Sequence, residues 1–363
     1  MKIVIIVWKF PPKWIAGTEL ASYNLAKYMG KNHHVSVITS YDTGMSDQSN
    51  MDGFDVYRVS SPGIKFFGIL LFWFKVFLTI KQLKPEIIQV QGLHMSVPAV
   101  LAKKILNIPY ILSGRGADVY DSWPFKGVSS KLGQRNALVS VALTEYMKNE
   151  MQKNSDNRIE VVPNGIDTRN FNLDKYESRE KLNLDHEQKI VLFVGRLEPV
   201  KGLKYLIESI VILKCTEKSM KLLVVGDGSE VNNLKLLVKK LKLEEDVIFI
   251  GKRPTEKIPE YLIASDVFVL PSLSEGFPNV LLEAMAAGLP IVTTKIGGLA
   301  EIVEDRVNGF LVDPKSPVEL ADKITLILNN ENLATKISRA NKERSNFYDW
   351  ENIASRLENL YNQ

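Results

Sequence analysis

The sequence predicts an α/β protein built from two Rossmann-like, doubly wound domains that face each other across a cleft. Three observations lead to this prediction. The chain has 363 residues, more than one ordinary core accommodates and natural for two domains. Short apolar segments rich in β-branched residues alternate with amphipathic segments, which is typical of parallel sheets covered by helices on both faces. The alternation is interrupted once, by a polar stretch, and then begins again.

The first half of the chain opens with the apolar segment MKIVIIV. We expect a buried strand here rather than a signal peptide, because the apolar run stops at Lys9 and no small-residue cleavage site follows. The predicted strands of this half are Lys2–Trp8, Val35–Thr39, Asp55–Val59, Glu86–Val90, Tyr110–Ser113, Leu138–Ala142 and Ile159–Val162, and the predicted helices are Glu19–Tyr28, Ile64–Leu83, Val97–Leu106 and Glu145–Lys153.

The second half repeats the alternation after the polar stretch Asp167–Gln188, which we interpret as a linker region. The predicted domains are therefore residues 1–170 and 171–345. The predicted strands of the second half are Lys189–Val194, Lys221–Val225, Val247–Ile250, Val267–Leu270 and Ile291–Thr294, and the predicted helices are Leu203–Leu213, Val231–Leu241, Ile258–Ala264, Val280–Ala287 and the amphipathic Phe347–Tyr361.

Composition excludes several classes of protein. One cysteine, Cys215, rules out an intrachain disulfide framework, and four histidines with that single cysteine form no cluster at zinc spacing. A reducing, cytoplasmic setting fits this usage. Residues 1–170 contain 20 Lys and Arg against 13 Asp and Glu, whereas residues 171–363 contain 26 against 29. The basic first half favours an anionic partner such as phosphate or a membrane surface, and the alternative is a set of solvated lysines.

The ends of two predicted strands carry candidate phosphate ligands. Gly17 stands where the first helix begins, with Thr18 as its predicted N-cap, and a helix start of small residues lets backbone N–H groups approach a phosphate. The alternative is an ordinary capped helix. Arg196 and Lys201 follow the strand Lys189–Val194, and two cations at a strand end suit a diphosphate. The alternative there is surface charge.

The segment Pro271–Pro290 gives the strongest local signal. A strand ends, a Gly and Pro loop follows, and a helix begins near Asn279, which together predict an anion site. Glu283 lies inside an otherwise apolar helix, where a carboxylate is costly unless it accepts hydrogen bonds. Ribose hydroxyls are suitable donors, and a buried ion pair with Lys295 is the alternative.

Taken together, these residues resemble the retaining glycosyltransferases of the GT-B fold, specifically glycosyltransferase family 4. The resemblance covers nearly the whole chain. Its parts occur in the expected order: Ala16-Gly17-Thr18-Glu19, Arg115-Gly116-Ala117-Asp118, Pro163-Asn164-Gly165-Ile166-Asp167, Gly195-Arg196 with Lys201-Gly202, Gly226-Asp227-Gly228, Glu275 and Glu283, Gly297-Gly298-Leu299-Ala300-Glu301, and Asn308-Gly309-Phe310-Leu311-Val312. Gly226-Asp227-Gly228 alone has the simpler interpretation of a strand-to-helix turn.

The resemblance implies a role for each matching residue. Arg196 and Lys201 would hold the donor diphosphate and stabilise the leaving group, and Gly17 would place its backbone beside the same group. Glu283 would bind the ribose and Glu275 the donor sugar. Arg253 lies in the loop Gly251–Pro254, whose pocket shape decides between uracil and guanine. The backbone at Pro278, Asn279 and Val280 would complete the phosphate site, and the segment 346–363 would be a helix that crosses back to the first domain.

The sequence departs from the family pattern in the first domain. Arg115 stands where members often have a histidine, and Gln89-Val90-Gln91 stands where His-x-His is common, with His94 nearby. Ala16 replaces a common glycine. Arg115 and Asp118, which we include among the catalytic candidates with Glu275, Arg196 and Lys201, either bind sugar or acceptor groups or pair with each other.

The function that the resemblance implies is transfer of a hexose-type sugar from a UDP- or GDP-sugar to a glycan or lipid-linked acceptor, with retention and without a metal or other cofactor. No nucleic acid is expected as a partner. Two alternatives stay open: a sugar-nucleotide epimerase of the same fold, and a non-catalytic subunit that binds a sugar nucleotide. Inversion of the sugar without an acceptor would favour the first, and a lack of nucleoside diphosphate release would favour the second.

The segment 64–84 contains the most apolar run in the chain, Ile64–Lys81, yet this run is interrupted by Lys75 and is shorter than the ~20 apolar residues of a membrane span. One interpretation is a helix packed on the first sheet. The other is a peripheral contact with the inner face of the membrane, because aromatic residues surround the helix and lysines could lie at the headgroups. Trp73 and Phe74 are the residues whose replacement by Glu would separate the two.

Overall fold

Buried, β-branched segments form two separate sheets, one in each of the two units into which the chain divides. The computed structural model describes residues 1–60, 65–120, 126–215 and 219–362. Unit 1 comprises Met1–Gly165 with Trp350–Gln363, and unit 2 comprises Ile166–Asp349. Each unit is a doubly wound α/β domain, so the predicted fold class is confirmed.

Unit 1 contains an eight-stranded sheet in the order β3-β4-β2-β1-β5-β6-β7-β8, in which only the edge strand β3 runs antiparallel to its neighbour. Its elements are β1 Lys2–Val7, α1 Gly17–Met29, β2 His34–Ser40, β3 Gln48–Met51, β4 Phe54–Val59, α2 Lys65–Leu83, β5 Ile87–Gln91, α3 Ser96–Leu106, β6 Tyr110–Ser113, α4 Ala117–Tyr120, α5 Lys126–Asn136, β7 Val139–Ala142, α6 Glu145–Gln152 and β8 Ile159–Val161.

The register of unit 1 aligns the C-terminal ends of its central strands. Val7 of β1 pairs with Gln91 of β5, and Gln91 pairs with Ser113 of β6. Because parallel strands end at the same edge of a sheet, the residues that follow these three positions lie together.

Unit 2 contains a six-stranded parallel sheet in the order β11-β10-β9-β12-β13-β14. Its elements are α7 Lys175–Lys181, β9 Lys189–Val194, α8 Leu203–Leu213, β10 Met220–Val225, α9 Val231–Leu241, β11 Val247–Gly251, α10 Ile258–Ala264, β12 Val267–Leu270, α11 Asn279–Ala286, β13 Ile291–Thr294, α12 Leu299–Ile302, β14 Gly309–Val312, α13 Pro317–Leu328 and α14 Glu331–Ser345.

The final helix, α15 Trp350–Tyr361, belongs to unit 1 and packs on α1. The rings of Tyr28 and Trp350 stack with centroids 6.2 Å apart. Lys31 Nζ lies 2.8 Å from Glu351 Oε1. A β-carbon added at Gly165 would come within 2.4 Å of the Trp350 indole, so this position admits only glycine without a shift of the ring.

The interpretation of Asp167–Gln188 as a linker is wrong. The segment lies inside unit 2, where it forms a short 3₁₀ turn and helix α7. Phe171 is buried in the core of unit 2. The buried Arg179 side chain donates to the Ala264 carbonyl at 2.9 Å and pairs with Asp266 at 2.9 Å. Polar composition concealed the helix because its inward contacts are hydrogen bonds rather than apolar packing.

Each of the twelve predicted strands is present, with ends that differ by no more than one residue. Two further strands, β3 and β14, and several helices were not predicted. Strand β3 has the polar sequence QSNM and alternates between exposed and half-buried residues. Within the described ranges, no helix combines the length and the apolarity that a membrane crossing requires.

Candidate active site

Three loops at the C-terminal ends of β9, β10 and β12 are joined through their backbones in unit 2. Leu273 N–H donates to the Val200 carbonyl at 2.7 Å, and Leu197 N–H donates to the Asp227 carbonyl at 2.9 Å. Glu230 N–H in turn donates to Leu197 at 2.9 Å. The loop after β9 is therefore fixed between its two neighbours, and the charged side chains on it have a defined location.

Two glycines make this close approach of loops feasible. Gly202 has φ +64°, and a β-carbon there would lie 2.1 Å from the Pro271 carbonyl oxygen. Gly226 has φ +144°, and a β-carbon there would lie 1.8 Å from the Gly195 carbonyl oxygen. Both contacts involve backbone atoms, so no side chain could be accommodated by a rotamer change. Gly226-Asp227-Gly228 thus does more than form a turn, because it supports the Gly195-Arg196 loop.

The pairing of Lys201 with Glu275 brings two predicted site residues together. The Lys201 ammonium forms a salt bridge with Glu275 Oε2, although the residues are 74 positions apart, and both side chains are mostly buried. Ser272 Oγ donates to the same carboxylate oxygen at 3.4 Å. Sequence reasoning assigned these two residues to different parts of a ligand and did not foresee that they contact each other.

Arg196, on the same loop, is exposed. Within the part of the chain that the structure describes, its guanidinium makes no hydrogen bond or salt bridge. The strand end of β9 therefore presents one cation that is paired, Lys201, and one that is open to a ligand, Arg196. Arg253 follows β11, two strands away from β9 in the sheet order, and its Nε donates to Tyr261 Oη at 3.2 Å.

Glu283 lies in the second turn of α11 among buried apolar residues. Among the described residues, no Lys or Arg nitrogen lies within 4.0 Å of its carboxylate, so the alternative of an ion pair with Lys295 is wrong. Burial raises the pKa of Glu283 to about 7. A carboxyl group in this condition gains from any ligand that donates hydrogen bonds to it.

The N-terminus of α11 lies directly after the loop that holds Glu275. Pro278 is the N-cap residue, has an extended backbone and supplies no side-chain cap. Asn279 and Val280 are the first two residues of the helix, as predicted. The backbone N–H groups of a first helical turn point away from the helix, and they favour an anion in front of it.

In unit 1, the helix after β1 begins at Gly17, one residue earlier than its predicted cap. Ala16 is the N-cap, so the prediction that Thr18 caps this helix is wrong. The Thr18 carbonyl instead accepts a hydrogen bond from Ser22 Oγ at 2.8 Å. Gly17 is exposed at the start of α1.

A polar cluster surrounds Arg115 after β6. Arg115 Nε and Nη2 both donate to Gln91 Oε1, the first at 2.5 Å, and Nη1 donates to Asn164 Oδ1 at 2.6 Å. The strands β5, β6 and β8 thus contribute one residue each. Burial lowers the pKa of Arg115 to about 10, against the opposing charges of Asp118 and Tyr361.

Asp118 does not neutralise Arg115 directly. Its Oδ1 accepts from the Arg115 backbone N–H at 2.8 Å and its Oδ2 accepts from Leu93 N–H at 2.7 Å. Among described residues, no carboxylate oxygen lies within 4.0 Å of the Arg115 guanidinium. Asp118 therefore contacts the backbone N–H of Arg115 and not its guanidinium.

Sequence reasoning missed three members of this cluster. Gln91 and Asn164 were quoted as parts of motifs without a role, and His94 was noted only as a neighbour. The His94 ring lies beside Gly92, and burial lowers its pKa while the charge of Asp118 raises it. The register of three parallel strands brings these residues together, which no local pattern reveals.

In residues 1–60, 65–120, 126–215 and 219–362, no group of three or more His, Cys, Asp or Glu side chains could hold a metal ion.

Two doubly wound domains with charged residues at their strand ends are the architecture of the GT-B class. Comparison with known proteins agrees with this class. The family described as glycosyl transferases group 1 matches residues 174–344, and the family described as Glycosyltransferase Family 4 matches residues 15–170. An uncharacterized glycosyltransferase of Methanocaldococcus jannaschii is 30% identical over 99% of this chain and 98% of its own length. The chain belongs to these group 1, family 4 glycosyltransferases.

Further similarities extend to a second curated protein and to solved structures. A putative teichuronic acid biosynthesis glycosyltransferase of Bacillus subtilis is 33% identical over 69% of this chain and 64% of its own length. The sucrose-phosphate synthase of Thermosynechococcus elongatus superposes with a TM-score of 0.90 at 22% identity, covering 100% of this chain and 98% of that one. Anabaena HepE, solved with UDP and glucose, superposes with a TM-score of 0.84 at 23% identity over 100% of both chains.

Proposed function

We propose that unit 2 binds a UDP- or GDP-sugar and that the protein transfers its hexose-type sugar to an acceptor with retention of anomeric configuration. The observation that carries the proposal is the set of charges at the ends of β9 and β12. Lys201 and Glu275 converge there from positions 74 residues apart, next to the open cation Arg196 and ahead of the first turn of α11. Glu283 lies in helix α11 of the same segment, and no cation of the described residues pairs with it.

The diphosphate of the donor is the group that these cations suit. Arg196 can engage two phosphate oxygens, and Lys201 offers a point charge once the ligand competes with Glu275 for it. As the bond between the anomeric carbon and the β-phosphate oxygen breaks, negative charge develops on the leaving diphosphate. Cations and helix N–H groups that are already in place stabilise that charge without reorganisation.

Retention is proposed through attack of the acceptor oxygen on the face from which the diphosphate departs. The acceptor hydroxyl gives its proton to the departing phosphate oxygen while its own oxygen bonds to the anomeric carbon. Such a step needs no metal, because Arg196 and Lys201 supply the positive charge. Glu283 would accept hydrogen bonds from the ribose, and Glu275 would contact the transferred sugar when it exchanges Lys201 for the ligand.

Arg253 and Gly17 complete the proposed contacts. Arg253 lies at the end of β11, where the base of the nucleotide would be read, and Gly17 offers an exposed helix start in unit 1. The similarity to a UDP-bound glycosyltransferase is a reason to begin with uridine nucleotides. The likeness to a protein of teichuronic acid biosynthesis supports a glycan of the cell envelope as the product.

The decisive experiment incubates the full chain with UDP-glucose, UDP-galactose, UDP-N-acetylglucosamine and GDP-mannose, with and without candidate acceptors. We expect nucleoside diphosphate release that depends on the acceptor, and an α-configured product from an α-configured donor by NMR of the anomeric proton. Epimerised donor without release would establish the epimerase instead. Binding without either reaction would establish the non-catalytic subunit. Turnover abolished by EDTA would contradict the metal-free step.

We further propose that the acceptor is lipid-linked and that unit 1 meets it at an anionic membrane surface. Helix α2 has one face packed inward: Phe72, Val76 and Ile80 are buried, and Phe72 meets the Trp8 ring with centroids 4.9 Å apart. The other face is exposed and apolar, at the spacing of one helical stripe. This exposed stripe consists of Phe67, Leu70, Leu71, Phe74 and Leu78.

The charge around the exposed stripe complements anionic lipid. Helix α2 packs on α3, and α3 packs on α5. None of these three helices contains an Asp or Glu, whereas together they contain seven lysines and one arginine. Lys81, Lys104 and Lys131 are exposed. Apolar side chains that enter the interface beside lysines at headgroup level are the usual composition of a peripheral contact.

A vesicle assay tests the membrane proposal. The purified chain should co-sediment with phosphatidylglycerol vesicles and less so in high salt, while neutral phosphatidylcholine vesicles should bind it weakly. Trp73 is half-buried, so Glu at that position would disturb the core. Phe67→Glu with Phe74→Glu changes only exposed side chains and should reduce binding at least tenfold. Phe347→Glu with Leu236→Glu, equally exposed but in unit 2, is the matched control. Unchanged binding in the first pair would overturn the proposal.

A further inference from the structure

The polar cluster of unit 1 contains a cation whose partners are all neutral. The Arg115 guanidinium donates three hydrogen bonds, two to the amide oxygen of Gln91 and one to that of Asn164. A guanidinium has five N–H groups. Two N–H groups of Arg115, one on Nη1 and one on Nη2, therefore have no partner among the described residues.

Burial makes this arrangement costly unless a negative charge completes it. A charge that leaves water is stable in a protein interior only when it is paired and hydrogen-bonded. Arg115 is half-buried at the strand end, and the nearest acid, Asp118, directs its two oxygens to the backbone N–H groups of Leu93 and Arg115. Asp118 thus acts on the Arg115 charge only from beyond salt-bridge distance, and among the described residues no carboxylate contacts the guanidinium.

A second hydrogen-bond donor of the cluster also lacks a partner among the described residues. Gln91 Nε2 is buried and has no hydrogen-bond partner among the described residues. Gln89, two residues earlier on the same strand, contrasts with it, because its Nε2 donates to Ser113 Oγ at 2.8 Å and its Oε1 accepts from Tyr361 Oη at 3.0 Å. Both amide atoms of Gln89, inside the sheet, are therefore hydrogen-bonded, whereas the amide nitrogen of Gln91, at the strand end, has no partner among the described residues.

We infer that Arg115 is a specificity-determining residue that receives an anionic group, a carboxylate or a phosphate, on a substrate of the proposed transfer. The inference rests on the proposed function and narrows its substrate class. Arg recognises both groups through two oxygens, which a neutral histidine at this position would not do. The anionic group belongs either to the acceptor or to the transferred sugar, as in a uronate.

The test compares probes that differ only in charge. In the donor arm, the affinity of the full chain for UDP-glucose is compared with that for UDP-glucuronate by calorimetry. In the acceptor arm, protein saturated with UDP is titrated with glucose, glucuronate and glucose 6-phosphate. We expect at least a tenfold preference for the charged probe in one arm, which identifies the source. Equal affinities in both arms would overturn the inference.

Variants of Arg115 separate recognition from structure. Arg115→Gln should remove the preference for the charged probe, leave the affinity for UDP within twofold of the wild type, and leave Tm unchanged or raised, because a buried charge without a counter-charge is lost. Arg158→Gln, an exposed arginine of unit 1 paired with Glu160 at 2.8 Å, is the matched control and should keep the preference. A preference that survives in Arg115→Gln would overturn the inference.

The outcome for UDP keeps the two proposals distinguishable. If UDP and UDP-sugars do not bind at all, the proposed function fails first. If UDP binds and charge makes no difference in either arm, the proposed function stands and the role of Arg115 fails. A fall in Tm of several degrees for Arg115→Gln, with the charge preference lost only through unfolding, would assign the residue a structural role and would also count against the inference.

Discussion

The charged clusters at the strand ends of unit 1 and of unit 2 hold their cations in different ways. In unit 2, Lys201 is neutralised by Glu275, and the open cation Arg196 is exposed to water. In unit 1, Arg115 is half-buried, and its guanidinium donates hydrogen bonds only to amide oxygens among the described residues. An anion that binds Lys201 must displace Glu275, whereas an anion that binds Arg115 would meet N–H groups that no described carboxylate contacts.

The two clusters differ in how they orient their charged side chains before a ligand binds. The salt bridge between Lys201 and Glu275 orients both side chains before a ligand arrives, and a ligand with phosphate and hydroxyl groups can replace each partner. The amides of Gln91 and Asn164 orient Arg115 without neutralising it. If that contrast has functional consequences, substitutions at the cations of unit 2 should have the largest effect and substitutions that only support unit 1 the smallest.

The largest effect is expected for the cations of unit 2. Arg196→Ala and Lys201→Ala should each lower kcat by about 10²–10³-fold, the scale for one lost preorganised electrostatic contact. Arg196 is exposed and unpaired within the described residues, so its loss should leave Tm unchanged. Lys201→Ala leaves the Glu275 carboxylate without its cation and should lower Tm as well. Turnover near the wild-type value in both variants would remove these residues from the site.

The second effect concerns Glu283 and pH. Because the ionised carboxylate accepts ribose hydrogen bonds, UDP-glucose should bind more tightly as pH rises through about 7, and binding at that pH should release roughly half a proton. Glu283→Gln should bind about tenfold more weakly at pH 8 and should show no pH dependence in this range. Calorimetry in two buffers of different ionisation enthalpy measures the proton release.

The stability of Glu283→Gln should change in the opposite direction from its affinity for UDP-glucose. Burial raises the pKa of Glu283 in the folded state, so stability is lost as pH rises from the ordinary glutamate pKa of ~4.3 through about 7. Relative to wild type, Glu283→Gln should therefore gain in Tm between pH 5 and pH 8. A variant that melts lower at pH 8 would indicate a structural ion pair, which the geometry excludes for the described residues.

The smallest effect is expected inside unit 1, beneath Arg115. Tyr361→Phe removes the buried hydrogen bond to Gln89 and should cost about 1 kcal/mol of unfolding free energy. It should not change the affinity for UDP, because Tyr361 supports the strand and not the nucleotide site. Chemical denaturation and calorimetry measure the two quantities, and a loss of UDP affinity without a loss of stability would contradict this division of roles.

The sequence predicted most strands because burial leaves a strong local signal. Five of the six residues of β9 are buried, and all four residues of β12 are buried. Helix α13 was missed although its start was visible: Ser316 and Glu319 have capping-box spacing, and Ser316 Oγ accepts from Glu319 N–H at 3.4 Å. Helix α14 gave a weaker signal in the sequence, since only three of its fifteen residues are buried.

Prediction of the candidate site was limited in the same way, because sequence identifies single residues but not the contacts between distant ones. Arg196 and Lys201 were proposed because they follow a strand of a parallel sheet, Glu283 because it lies in an otherwise apolar helix, and Glu275 because of the family resemblance. Their pairing was not predictable. The contact of Lys201 with Glu275 depends on loops that approach until the Gly202 backbone meets Pro271, and loop approach is set by the packing of whole sheets.

The sequence by itself determined that this protein has two nucleotide-binding-type domains, where their strands end, and which charged residues follow those ends. Periodicity and turn residues are local, so one chain read in order is enough to show them. The tertiary structure alone decided that a carboxylate contacts Lys201 and that, among the described residues, only amide oxygens contact the Arg115 guanidinium. Partners that stand 24 to 74 positions apart meet only when strand register and loop packing bring them together. Whether a charge is paired is therefore a property of the fold, and it is the property on which the proposed chemistry depends.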